Sequence, residues 1–281
     1  MTESIFVGDG DLFTPTEHAR GPWDPRALHG GAPAALIASA FERMQPGAEL
    51  PFARLSFEFL RPVPMAPLRL STRISRPGRR VQALAAELSA DGMTVCRASA
   101  LRLVPVPEQL PELALARAQD ALPAAIAPPE SGHYVLFALD DMERQSFAAS
   151  AMEMRFLSGH PLAGELPELD TTSAHVPSGA ATVWMRLRHP LLPDEQLTPL
   201  ARVAATADFG NGVAAAVPFE EYLFINADLT ISLDRRPAGE WVALDACTLL
   251  HPGGIGWAES VLHDERGPLG RATQALVVQR R

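Results

Sequence analysis

The chain has 281 residues, 47% hydrophobic and 20% charged, enough to bury a sizeable core as one large domain or two of ordinary size. Its 24 Lys+Arg against 33 Asp+Glu give 24 − 33 = −9, a balance that repels phosphate backbones and argues against a nucleic-acid partner, while a local basic patch could still hold an anionic ligand. Cys96 and Cys247 make no disulfide framework, and eight histidines scattered away from ligand spacings point to no metal and no cofactor.

The acidic start, with Glu3 and Asp9, lacks a basic segment leading into an apolar one. No apolar run approaches the ~20 residues that span a bilayer. A reducing, cytoplasmic setting without a membrane partner is therefore expected. Along the chain, Asp24 and His29 are spaced D-x4-H ahead of 32–44 (APAALIASAFERM), which is small and apolar nearly all round. That composition predicts a helix buried on most sides, with Pro33 tolerated in its first turn. Strands bounded by Pro/Gly turns are predicted at 55–60, 68–75, 81–89 and 94–104. The stretch 105–129 carries Pro105, Pro107, Pro111, Pro123, Pro128 and Pro129, which block regular sheet, and reads as a linker with a short helix near 113–121. Strands follow at 151–157 and 182–188. Thr198 supplies an N-cap and Pro199 the first helical position of a helix running to about Asp208, where Gly210-Asn211-Gly212 would stop it. In 226–233, Ala227, Leu229, Ile231 and Leu233 alternate with Asn226, Asp228, Thr230 and Ser232, a strand with one buried face. The last strands are predicted at 241–250, 255–262 and 271–279.

These elements repeat. Arg61-Pro62 matches Arg236-Pro237, Pro77-Gly78 matches Pro252-Gly253, and Gly92 matches Gly267, since 236 − 61, 252 − 77 and 267 − 92 each give 175. Residues 53–57 parallel 227–231 once one extra residue is allowed in the second copy, and the apolar phase slips in places by an amount a β-bulge absorbs. The chain therefore reads as α+β: a first domain over 1–107, a Pro/Ala-rich linker over 108–130, and a second domain over 131–281. Each domain is a helix wrapped by an antiparallel sheet, with the two sheets expected to join edge to edge because that hides exposed strand edges.

The segments HGGAPAAL, FLRPVP, ADFGNG, INADLT and LDRRPAGEW, followed by HDERGPLG and TQALVVQ, resemble in content and order those of the acyl-CoA thioesterase II-like (TesB-like) double-hotdog superfamily. The resemblance covers nearly the whole chain. It implies two tandem hotdog domains and cofactor-free hydrolysis of an acyl-CoA substrate by an Asp, a Ser/Thr and a Gln of the second hotdog. By position these become Asp228, Thr248 and Gln274, with Asn226 the neighbouring candidate because the strand carries an extra residue before Arg236-Pro237. A carboxylate that accepts a proton from water, beside a hydroxyl and an amide, suits thioester hydrolysis. The offset places Arg54, Arg73 and Ser99 at the equivalent positions of the first half, so one catalytic site per chain is expected.

Two other readings stand beside it. Asp24 and His29 resemble the dyad of hotdog-fold enoyl-CoA hydratases, although Trp23 precedes Asp24 and Pro-Arg-Ala-Leu fills the spacer. Alternatively, His29, Gly30 and Gly31 form a helix entrance that lets a ligand or a neighbouring strand come close. Arg79 and Arg80 are candidates for CoA phosphates. A non-catalytic acyl-CoA binding protein is the third reading, and self-association is left open.

Overall fold

The computed structural model describes residues 3–44, 51–105, 122–135, 145–159 and 179–281. Its first half runs β1 (Phe6–Asp9), β2 (Leu12–Pro15), α1 (Gly31–Arg43), β3 (Phe52–Phe59), β4 (Leu68–Arg76), β5 (Val81–Ala90) and β6 (Met93–Leu103). The second half runs β7 (His133–Val135), β8 (Met152–Ser158), β9 (Gly179–Leu187), α2 (Pro199–Ala207), α3 (Gly210–Val213), β10 (Tyr222–Asn226), β11 (Asp228–Leu233), β12 (Val242–His251), β13 (Ile255–Asp264) and β14 (Gly267–Arg280). Residues 106–121 lie outside the described part, and with them the helix expected at 113–121.

The local chemistry follows the sequence closely in the helices. Ten of the thirteen α1 residues are buried, as an all-round small and apolar helix requires. α2 is shorter, nine residues, and opens with the Thr198 side chain accepting from the Ala201 N–H at 3.3 Å and Pro199 in the first turn. Beyond it the glycines do not stop the chain as expected. None of 210–212 has a positive φ, and the segment winds another turn, α3.

Among the described residues, fourteen strands form a single antiparallel sheet, in the order β1-β2-β4-β5-β6-β3-β11-β14-β13-β12-β9-β8-β7, with β10 also paired to β14. The join is β3 against β11, with Ser56 opposite Thr230, so each half covers the other's open edge. Leu55 and Phe57 on β3, and Leu229 and Ile231 on β11, face the helices and are fully buried. The helices pack against each other so tightly that a Cβ on Gly31 would lie 2.7 Å from the Ala205 carbonyl oxygen. Far from that contact, the RRPAGEW turn is bolted to the β13–β14 hairpin. The Arg235 guanidinium donates to both Asp264 oxygens at 2.6 and 2.7 Å, and the Ala238 and Arg266 N–H groups complete the carboxylate's shell. Cys96 and Cys247 are both free thiols.

Candidate active site

Where the halves meet, a cavity of about 470 Å³ opens, walled by Trp23, Leu28 and Val63 from the first half and by Phe209, Phe219 and Ile225 from the second. Its polar groups include His29, Asp208 and Asn226. That combination of apolar walls and a few convergent polar groups is what a small-ligand site needs.

Asp208 is delivered by α2, which is apolar or small through most of its length and ends in this carboxylate at the C-cap, 3% exposed. The C-terminal end of a helix disfavours negative charge, so the carboxylate depends on other donors. Asn226 Nδ2 donates to Asp208 Oδ1 at 2.9 Å. On the other oxygen, His29 Nδ1 stands 3.1 Å from Oδ2. The same nitrogen lies 3.0 Å from the Gly31 N–H, and one nitrogen cannot serve both at once. Carrying a proton, it donates to Asp208; without one, it accepts from Gly31 at the head of α1. The His29 ring is held by Phe209 and Phe147, with centroids at 4.2 and 5.1 Å. Gly30 is required here, because a Cβ would lie 2.7 Å from Asp208 Oδ2.

Gln274 secures the backbone under the carboxylate. It is 3% exposed on the inward phase of β14, donates through Nε2 to the Asp208 carbonyl at 3.1 Å, and accepts at Oε1 from the Asn211 N–H at 3.1 Å. The amide thus ties the end of α2 to the start of α3. Gly210 lets α3 settle on the sheet, since a Cβ there would lie 2.8 Å from Gln274 Oε1 and 2.9 Å from Ser260 Oγ.

The other expected residues stand elsewhere. Between β10 and β11 the alternation breaks at Ala227: Phe224 is buried toward the helices, yet the next inward run is Leu229, Ile231 and Leu233. The extra residue keeps Asn226 at the cavity and turns the Asp228 carboxylate to the opposite face, where Oδ1 accepts from the Ala275 N–H at 2.7 Å. Asp228 serves the site through its carbonyl, which accepts from Asn226 Nδ2 at 3.1 Å. Thr248 is 1% exposed on β12, two strands from Gln274 through Ala258, outside the cavity lining, and its hydroxyl has no partner among the described residues. Asp24 is at the cavity rim and does not pair with His29. It is held by Arg26, whose Nε and Nη2 donate at 3.1 and 2.9 Å and keep the carboxyl below the usual range. Arg79 and Arg80 sit exposed on the β4–β5 turn, away from the cavity. The cations near its mouth are Arg61 and Arg281, the latter with its guanidinium 4.6 Å from the Phe219 ring centre and 5.6 Å from that of Trp23.

Asp208 was the residue that pattern reading passed over. Its signal was present: one carboxylate closing an otherwise apolar helix, against the dipole, inside the ADFGNG segment. The last turn of α1 carries Glu42 instead, whose carboxylate accepts from the Leu200 N–H at 2.9 Å at the head of α2. Because Thr230 faces Ser56, and these pair with Thr273 and Ser99 respectively, the register sets Gln274 against Ala100, one residue on from the Ser99 expected from the constant offset. Cys96 brings no nucleophile to the region, because burial, and then the Asp208 and Glu58 carboxylates, push its thiol up to about 12.

Comparison with known proteins agrees on the whole chain. A family model described as the acyl-CoA thioesterase N-terminal domain matches residues 19–103, and one described as the acyl-CoA thioesterase C-terminal domain matches residues 138–278. No curated protein matches. Among solved structures, a hot dog fold protein of unknown function from Alicyclobacillus acidocaldarius is 16% identical, with 98% of this chain and 95% of that one covered and a TM-score of 0.69. A putative thioesterase II from Thermobifida fusca is 19% identical, with 99% and 96% covered and a TM-score of 0.68. The acyl-CoA thioesterase II TesB2 from Mycobacterium marinum is 18% identical, with 98% and 96% covered and a TM-score of 0.61. At these identities the structures speak for the fold, a double hotdog, while the two family models, laid end to end over both halves, establish that the chain belongs to the acyl-CoA thioesterase family.

Proposed function

We propose that the cavity between the halves hydrolyses an acyl-CoA thioester, with Asp208 as the carboxylate that activates water. The observation carrying this reading is the buried Asp208 side chain at an apolar cavity, gripped by Asn226 and His29 while Gln274 holds its backbone. Asp208 takes a proton from water as the water oxygen bonds to the thioester carbonyl carbon. The resulting oxyanion lies toward the head of α1, where Gly30 lines the cavity and the positive end of the helix dipole favours developing negative charge. Collapse breaks the C–S bond, and the proton returns to the departing thiolate, giving free acid and CoA. Asn226, the alternative to Asp228 on the same stretch of chain, donates from its amide to Asp208 Oδ1 and orients the carboxylate. Arg61 and Arg281 at the mouth suit the CoA phosphates better than Arg79 and Arg80, which lie outside the lining.

The test is thiol release from short, medium, long and aryl acyl-CoA esters by wild type, Asp208→Asn and Asp228→Asn. Turnover lost with Asp208→Asn and kept with Asp228→Asn supports the assignment. The reverse pattern would return catalysis to the set Asp228, Thr248 and Gln274. Esters that bind without turnover would leave an acyl-CoA binding protein, and enoyl-CoA hydration dependent on Asp24 and His29 would make the chain a hydratase.

A further inference from the structure

Away from the cavity, the fold gathers three side chains that are far apart in sequence. Glu3 precedes β1, His18 lies in the 3-10 turn Glu17–Ala19, and His189 follows β9. Their ligand atoms all lie within 4.8 Å of one another, with Glu3 Oε2 at 3.5 Å from His18 Nε2 and 4.0 Å from His189 Nε2. Two atoms each about 2.1 Å from a tetrahedral ion stand roughly 3.4 Å apart, close to the first of these distances.

The hydrogen bonds around Ser150 favour one tautomer of His18. Ser150 Oγ donates to the Ser146 carbonyl at 2.8 Å and accepts from the Ser146 N–H at 3.1 Å. With its proton committed, it can only accept from His18 Nδ1, 2.7 Å away. Nδ1 therefore carries the hydrogen, and the Nε2 lone pair faces Glu3. A ring nitrogen that donates to an outer partner while the other points inward is the arrangement of a metal-ligating histidine. His189 lies directly beside this ring, its centroid 4.3 Å from that of His18 and its Nε2 turned toward the same Glu3 oxygen.

We propose that Glu3, His18 and His189 bind a divalent transition-metal ion of the zinc class, with water completing the shell. The site is structural. It ties the segment before β1 to the turn that carries Ser146 and Ser150, and so to Phe147, the ring beside His29. It is independent of the thioesterase reading.

The experiment is titration of chelator-stripped, untagged protein with Co²⁺, followed by the visible absorption of the bound ion and by competition with Zn²⁺. Wild type should take up one equivalent with tetrahedral bands that Zn²⁺ abolishes, and Zn²⁺ should raise the melting temperature. His189→Gln and Glu3→Gln, both at partly or well exposed side chains, should keep the fold and bind at least about 100-fold more weakly. Ser150→Ala should weaken binding about tenfold by freeing the His18 tautomer. Absence of a Co²⁺ band in wild type, or wild-type affinity in Glu3→Gln and His189→Gln, would overturn the site.

Discussion

The two halves build the same unit and spend their buried polar groups differently. In the first, Arg102, 3% exposed on β6, donates to the Phe41 carbonyl at 2.7 Å and the Met44 carbonyl at 3.1 Å, so a cation closes the C-terminal end of α1. In the second, the matching end of the helix carries an anion, Asp208. The Arg102 charge agrees with the dipole of its helix, whereas the Asp208 charge opposes that of its own. A conflict of local rules that the surroundings are built to sustain marks a functional position more than a structural one. The difference teaches that the repeat kept its architecture in both copies while the groups at the two helix ends diverged.

The sharpest way to break this comparison is to neutralise each helix-end charge in turn. Asp208→Asn keeps the shape and removes the base, so thiol release should fall about a thousandfold, within the range for loss of a general base. The melting temperature should hold or rise, because the dipole conflict goes with the charge. Arg102→Met should do the opposite. Loss of charged hydrogen bonds to two carbonyls costs about 2–3 kcal/mol in chemical denaturation, while kcat/KM of the folded protein stays near wild type. If both variants lost activity and stability together, the division between a structural and a catalytic half would fail.

Much of the fold was legible because its signals are local. The apolar run of α1, the Thr198-Pro199 start of α2 and the period-2 strands each depend on neighbouring residues, and the repeat exposed the two halves. β1, β2 and the π-helical turn Phe147–Ala151 were missed, since four-residue strands and a single turn have too short a pattern to stand out. In the site, Gln274 was readable as a polar residue on an apolar face. Asp208 was not weighed, because its importance comes from Asn226, His29 and the Gly30 approach, contacts that span the sequence. Asp228 stands away from the cavity for a related reason: one residue at Ala227 exchanges the faces of the strand, and only the register reveals where the exchange happens. His29 was singled out, but its carboxylate partner comes from the other half of the chain.

Acid offers a milder contrast between the halves. His263 is 1% exposed with neither ring nitrogen partnered among the described residues, and burial pushes its pKa below the ordinary 6.5 against the pull of Asp245 and Asp264. Asp264 sits below 3.8 because, although burial raises it, hydrogen bonds from Arg235, Arg266 and Ala238 outweigh that. Both folded values are depressed, so both groups stabilise above their unfolded pKa, and the stabilisation is lost as pH falls through the folded value. His263 therefore acts first, below about pH 6.5, and Asp264 follows below about pH 3.8. The first half's anchor, Arg102, stays charged throughout this range. Amide protection factors, which divide out the slower intrinsic exchange in acid, should fall in β13 between pH 7 and pH 4 more than in β5, and His263→Leu should reduce the gap. An equal fall in protection in both strands would show that acid does not distinguish the halves.

The smallest effect is expected at Thr248, and it separates a buried polar residue from a working one. Its hydroxyl is enclosed on β12 without an acceptor or donor among the described residues, while Gln274, two strands away, has both ends of its amide engaged. Removing an unpartnered buried hydroxyl with no change of shape relieves a desolvation cost rather than breaking a bond. Thr248→Val should accordingly leave thiol release within about twofold and hold or slightly raise stability, by no more than about 1 kcal/mol. A large fall in kcat with the fold intact would mean that the hydroxyl meets substrate or water during turnover, and would extend the site across the sheet from Gln274 to β12.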